Sequence, residues 1–182
     1  LELEYYKNNI IPFFIPHSLV AISLLTGQEE VKTLESIVVD YAFLRGLFQS
    51  EFVFDGEEAL EKKVISLTEY FLASRFLTPS ERTLGYKITK LGFDKLPIWA
   101  ALAKTFVESY WIAAKSIGQG QNKGGKRGDN LKNVVYLGKR FHKLGLVDHI
   151  GALSRLNYVN AIGFIRENIM KSPSDPSEDP SI

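Results

Sequence analysis

Residues 93–117 read FDKLPIWAALAKTFVESYWIAAKSI. Within them Leu96, Trp99, Ala103, Phe106, Tyr110, Ala113 and Ile117 alternate steps of three and four, the period of a helix with one apolar face. Pro97 suits the first turn, where the amide it lacks would have had no partner. The spacing predicts one continuous helix over 93–117.

Towards the N-terminus, 75–90 (RFLTPSERTLGYKITK) places short apolar pieces on either side of Pro79-Ser80-Glu81-Arg82, which predicts a two-stranded hairpin. Leu60, Val64, Leu67 and Phe71 form the stripe of a helix over 57–74, with acidic Glu57 and Glu58 at its positive end. Val31, Leu34, Ile37, Val38, Tyr41 and Leu44 do the same for 29–50. The segment 4–26 is apolar nearly all round, and Gly27 is a natural C-cap. Pro12 and Pro16 each remove an amide donor and are expected to break or kink it. Its uncharged core, the 16 residues from Ile10 to Leu25, falls short of the roughly 20 apolar residues a membrane span requires, so it reads as a buried or interfacial helix.

Towards the C-terminus, Gly118-Gln-Gly-Gln-Asn-Lys-Gly-Gly125 has the composition of a flexible loop. A helix over 129–144 follows, with Leu131, Val134, Val135, Gly138 and Phe141 inward, Gly145 as C-cap and Leu146 closing the cap. A further helix is expected over 149–170 with Asp148 as N-cap. The whole reads as mainly α: a bundle of about six helices with one small β-hairpin that resembles the wing of a winged-helix element. Residues 1–171 read as one helical domain, and 172–182 as a disordered acidic Ser/Pro tail.

Composition narrows the function. The 182 residues are 45% hydrophobic and 24% charged, which excludes wholesale disorder and collagen-like repeats. With no cysteine there is no disulfide framework, thiolate nucleophile or Cys-ligated zinc site. A net charge of +1 gives no global argument for binding to nucleic acid or to a membrane. The chain opens Leu1-Glu2-Leu3 and its single methionine is Met170, so it is expected to be a piece of a longer protein.

Chemistry-bearing patterns are sparse. His17 stands in the apolar first segment with no acid near it and reads as a packed residue. His142 and His149 flank Asp148, which is either an acid/base pair or metal site, or simply a helix end followed by a helix start; the second reading fits the helix pattern better. The glycine-rich loop lacks the spacing of a phosphate loop and lies between helices, not after a strand. No catalytic, cofactor-binding or metal-ligating residue is assigned. One charged pattern stands out: Lys126, Arg127, Lys132, Lys139, Arg140 and Lys143 make a basic stretch broken only by Asp129. It suits contact with an anionic partner, whether phospholipid, acidic protein or nucleic acid, and equally an ordinary solvated helix face after a flexible loop.

The first segment carries a resemblance. Tyr5-Tyr6-Lys7-Asn8-Asn9-Ile10-Ile11 and Ile15-Pro16-His17-Ser18-Leu19-Val20-Ala21 resemble the start of the C-terminal region of bacterial glycerol-3-phosphate acyltransferases. The pattern Leu44, Leu47, Phe48, the stretch Arg75 to Thr78 and the aromatic helix with Tyr110 and Trp111 are similar more diffusely. The resemblance implies a parent enzyme that transfers an acyl group from acyl-CoA or acyl carrier protein to the 1-hydroxyl of glycerol 3-phosphate, in phospholipid synthesis. It implies a peripheral place at the cytoplasmic face of the inner membrane. That family's catalytic signature is His-x4-Asp, with His as general base. Five residues after His17, His142 and His149 stand Ile22, Val147 and Ser154, none of them acidic. The segment alone is therefore expected to be inactive and to need no cofactor. Its expected partner is the upstream acyltransferase domain, met through Tyr5, Tyr6, Asn8, Asn9, Phe13 and Phe14, with an anionic membrane surface as a second and no nucleic acid. The rival readings are a winged-helix-like binding module and a helical protein-interaction scaffold. The acidic 57–74 helix speaks against a DNA reader.

Overall fold

The computed structural model describes residues 2–27, 29–54, 59–80, 84–121 and 130–168, with the backbone alone for 2–9, 120, 121 and 130. The elements run α1 (Glu2–Leu25), β1 (Lys32–Thr33), α2 (Leu34–Leu47), α3 (Leu60–Ala73), β2 (Leu77–Pro79), β3 (Gly85–Ile88), α4 (Lys90–Ala100), a 3-10 turn (Ala101–Ala103), α5 (Lys104–Gln121), α6 (Asn130–Lys143), a second 3-10 turn (Ile150–Leu153) and α7 (Arg155–Asn168). The chain is mainly α, as the periodicity predicts. It divides into two compact units, Leu1–Thr105 and Phe106–Ile182.

In the first unit α1 packs against α2, α3, α4 and the first 3-10 turn. Ser18, Leu19, Val20 and Ala21 are four consecutive fully buried residues. At 100° per residue they cover most of the helix circumference, so this half of α1 is enclosed on every side. The apolar excess of 15–25 is thus satisfied by the unit itself. Small side chains allow the close approach, and the buried hydroxyls are bonded. Ser18 Oγ donates to Ala100 O at 3.4 Å, and Ser23 Oγ donates to Asp40 Oδ2 at 2.7 Å, beside the Lys32–Asp40 ion pair at 3.3 Å.

Pro12 and Pro16 do not break α1, which is helical from Glu2 to Leu25. Four residues apart, they lie on one face, so both missing donors fall along a single line of the helix, and packing on its neighbours outweighs the lost bonds. The hairpin also gains a strand. β3 is central in the antiparallel order β1-β3-β2, with Lys32 opposite Tyr86, Thr33 opposite Gly85, Leu77 opposite Ile88 and Thr78 opposite Lys87. Since Lys32 and Thr33 are extended, α2 begins at Leu34 and not near 29. Thr33 caps it, accepting from Ser36 N–H at 3.2 Å.

The helix predicted over 93–117 is two. Thr89 caps α4 by accepting from Gly92 N–H at 3.0 Å, and the 3-10 turn separates α4 from α5. The apolar steps continue through that turn, which is why spacing alone does not show it. In the second unit α6 packs on α7 and the second 3-10 turn. Ser154, not Asp148, caps α7, accepting from Asn157 N–H at 3.3 Å. Buried Ser109 Oγ donates to Ala152 O at 2.8 Å and accepts from Asn157 Nδ2 at 3.4 Å, tying α5 to both later elements. The expected tail over 172–182 lies outside the described residues.

Candidate functional site

Three aromatic side chains of the first unit surround His17. Its ring lies 5.0 Å from Tyr70, 5.3 Å from Trp99 and 6.0 Å from Phe71, and Trp99 in turn lies 5.9 Å from Phe14. Phe14 and His17, three residues apart, share a face of α1; Tyr70 and Phe71 come from α3, and Trp99 from α4. Nδ1 of His17 is buried and has no hydrogen-bond partner among the described residues. Burial holds the imidazole below its ordinary pKa of 6.5, and the positive charge of Lys63 pushes the same way. The ring is therefore neutral at pH 7 and packs as one more aromatic. A general base needs a partner that stabilises its imidazolium, and this environment does the reverse.

The other histidines sit in the second unit. His142 Nδ1 lies 2.9 Å from Val147 O, so its ring is fastened to the backbone just beyond the end of α6. His149 is exposed and precedes the second 3-10 turn. Among the described residues no three His, Asp or Glu gather as metal ligands. The pattern around Asp148 is thus a helix terminus: α6 ends with Arg140, His142 and Lys143 in its last turn, the end that favours cations.

Two surfaces remain. On α1, Tyr5, Tyr6, Asn8 and Asn9 belong to the helix, but their side chains lie outside the described residues. Phe13 is 77% exposed, with exposed Ile10 and Phe14 beside it on the same helix. Phe93 and Ile98 of α4 are exposed as well. Sequence reading missed these two because it followed the buried stripe through Leu96 and Trp99; apolar residues off that stripe were the available signal.

On α6, Lys132, Lys139, Arg140 and Lys143 are all exposed. Offsets of seven, eight and eleven residues bring them within an arc of about 100°. Tyr136, 70% exposed, stands in the middle of that arc. Exposed Leu144, Leu146 and Ile150 follow the helix. The structure therefore brings the basic residues of α6 onto one face and adds apolar side chains that charge counting does not register. Lys126 and Arg127 lie outside the described residues. Among the described residues no helix is long and apolar enough to cross a membrane.

Compared with curated proteins and with solved structures, the chain matches none. A family model described as the glycerol-3-phosphate acyltransferase C-terminal region matches residues 1–172, which takes in the first compact unit and all of the second up to residue 172. The chain thus belongs to the glycerol-3-phosphate acyltransferase C-terminal region family.

Proposed function

We propose that this chain is the non-catalytic C-terminal region of a glycerol-3-phosphate 1-O-acyltransferase. In the parent enzyme an upstream domain transfers the acyl group from acyl-CoA or acyl carrier protein to glycerol 3-phosphate, in phospholipid synthesis. The present region supports that reaction by packing. The observation that carries the reading is the contrast along α1. Its C-terminal half is enclosed by its own unit, whereas Ile10, Phe13 and Phe14 remain exposed and continue into the Tyr5–Asn9 segment. Exposed large apolar side chains gathered at one helix end are a protein-contact surface. The acyltransferase domain, covalently upstream in the family, is its natural occupant. The region itself uses no cofactor; the acyl donor is the parent's substrate.

The basic face of α6 adds a second contact, with an anionic membrane surface, in which Tyr136 and the apolar residues after the helix enter the headgroup layer. With this contact goes our proposal, taken from the resemblance, that the parent sits peripherally at the cytoplasmic face of the inner membrane. A winged-helix module is the second reading. The order α1-β1-α2-α3-β2-β3 with β3 central favours it as an architecture. Glu61 and Glu69 on the exposed side of α3 oppose its use on nucleic acid.

Two measurements test the proposal. The purified chain, incubated with labelled acyl-CoA and glycerol 3-phosphate, is expected to give no turnover above blank. Turnover abolished by His142→Ala or Asp148→Ala would overturn it. The amides of 5–11, 13 and 14 are expected to exchange rapidly in this chain and to be strongly protected in the longer parent, while Ile15, buried in this unit, is protected in both. Equal protection of the 5–14 amides in both would reject docking. For the membrane contact, co-sedimentation with phosphatidylglycerol vesicles should fall when Lys132, Lys139, Arg140 and Lys143 become Glu, and should weaken in salt over a Debye length of about 8 Å. Unchanged binding would reject that face.

A further inference from the structure

A groove of about 460 Å³ lies in the first unit, between the first turn of α2, the first turn of α3 and Leu84, which leads into β3. Leu34, Val38 and Val39 of α2 make its apolar surface together with Leu84. Val39 is 62% exposed and Leu84 86%, so the core of the unit uses neither. A loose backbone is not the reason. Leu84 O accepts from Leu34 N–H at 3.2 Å, and Gly85 beside it pairs with Thr33. The apolar surface is therefore fixed before a partner arrives, which removes part of the ordering cost of binding. Two carboxylates line the same groove, Glu35 of α2 and Glu61 of α3. Each stands in the first turn of its helix, where the dipole favours a negative charge. Both are exposed, and neither forms an ion pair among the described residues. No cation lines the groove among those residues.

We propose that this groove docks a basic amphipathic helix of a partner protein, its apolar side chains on Leu34, Val38, Val39 and Leu84 and its Lys or Arg side chains at Glu35 and Glu61. Charge decides the occupant. An acidic helix or a nucleic acid meets two carboxylates of its own sign, and an uncharged apolar helix covers them without pairing them. A basic amphipathic helix does neither, because residues three and four apart place apolar and cationic side chains along one edge. The apolar contact supplies affinity, and the two carboxylates, carried by different helices, select the partner and set its register. The same carboxylates repel an anionic membrane, so this groove and the basic face of α6 take opposite kinds of surface. The proposal goes beyond the acyltransferase reading and uses neither the exposed end of α1 nor α6.

Fluorescence anisotropy of a labelled helical peptide built on the repeat LKKLLKL, titrated with the full chain, tests this. Two control peptides carry Glu in place of Lys, or Ser in place of Leu. The leucine–lysine peptide is expected to bind at least about tenfold more tightly than either control, because it alone satisfies both the carboxylates and the apolar surface. Glu35→Gln together with Glu61→Gln should weaken it about tenfold, the scale of one charge-assisted contact, while Glu69→Gln, further along the exposed side of α3, leaves it unchanged. Leu84→Ser should also weaken it about tenfold, the scale of one leucine removed from contact. It should leave the melting temperature unchanged, since the Leu84 side chain is exposed and only its backbone is bonded. Equal binding of the glutamate peptide would overturn the charge assignment and the proposal with it. Equal binding of the serine peptide would show that no apolar docking occurs. Affinity that survives both the paired Gln variant and Leu84→Ser would place the peptide elsewhere and overturn the proposal; Leu84→Ser decides alone if the paired variant does not fold. No binding of the leucine–lysine peptide at all would overturn it as well.

Discussion

Helices α1 and α6 differ in what decides their faces. Between Ile15 and Leu24, α1 has no polar side long enough to show amphipathic periodicity, and its burial comes from elements packed all round it. In α6 one arc carries Lys132, Lys139, Arg140 and Lys143, and the opposite arc buries Val134, Leu137 and Gly138. The first helix can be understood only from its neighbours; the second can be oriented from its residues alone. An enclosed helix is sensitive to volume, whereas an amphipathic surface helix is sensitive to charge and to its ends.

The largest expected effect breaks α1 in its enclosed half. Leu19→Ala should cost about 3 kcal/mol by the lost burial and the cavity left behind. Phe13→Ala, six residues earlier but exposed, should stay within about 0.5 kcal/mol. Denaturation followed by Trp99 fluorescence in a Trp111→Phe background reads the first unit alone. Comparable losses would mean that α1 is not divided into an enclosed and an open half. On α6, Arg140→Glu together with Lys143→Glu should cost about 1 kcal/mol at low salt, because both act on the negative end of the helix, and salt should erase the loss. A loss insensitive to salt would show that these side chains act by packing.

Helix ends sharpen the contrast further. Both α3 and α6 stop in the same six-to-one turn, Phe76 N–H donating to Phe71 O and Leu146 N–H to Phe141 O, each at 2.9 Å. Gly145 fills the left-handed position after α6 at φ 69°, but Arg75 fills it after α3 at φ 61°. A side chain there costs about 1 kcal/mol. Arg75→Gly should therefore raise the melting temperature and Gly145→Ala lower it by a comparable amount. Equal and opposite shifts confirm that only the residue differs.

Two buried polar groups give the smallest effects. Tyr158 is fully buried, its hydroxyl has no partner among the described residues, and a Cβ at Gly138 would collide with that hydroxyl. Removing an unpaired buried hydroxyl costs nothing, so Tyr158→Phe should be neutral or gain up to about 1 kcal/mol, whereas Gly138→Ala destabilises. Burial pushes this phenol from 10.0 up to about 12. Between those values the unfolded chain releases the proton and the native one keeps it, so stability falls as pH rises, a slope that Tyr158→Phe removes. His17 has the opposite arrangement. Its pKa is lowered in the native state by burial and by Lys63, so the unfolded chain takes up a proton first as pH falls below 6.5. Stability is full above 6.5 and declines as pH falls towards the lowered native value. His17→Phe should flatten that decline, as acid titration of the melting temperature would show.

The helical class, the C-caps at Gly27 and Gly145, the basic arc of α6 and the absence of a His-x4-Asp pair are legible along the chain, because each depends on residues within a turn or two of one another. Tertiary structure alone decided the rest. Lys32 and Thr33 become a strand only because β3, some fifty residues away, offers its edge. Pro12 and Pro16 stay inside one helix because α2, α3 and α4 grip it beyond them. The 93–117 stripe splits at a 3-10 turn that preserves its spacing. Arg45 and Lys63 line one cavity, and no period along the chain records that two residues eighteen positions apart share the same space.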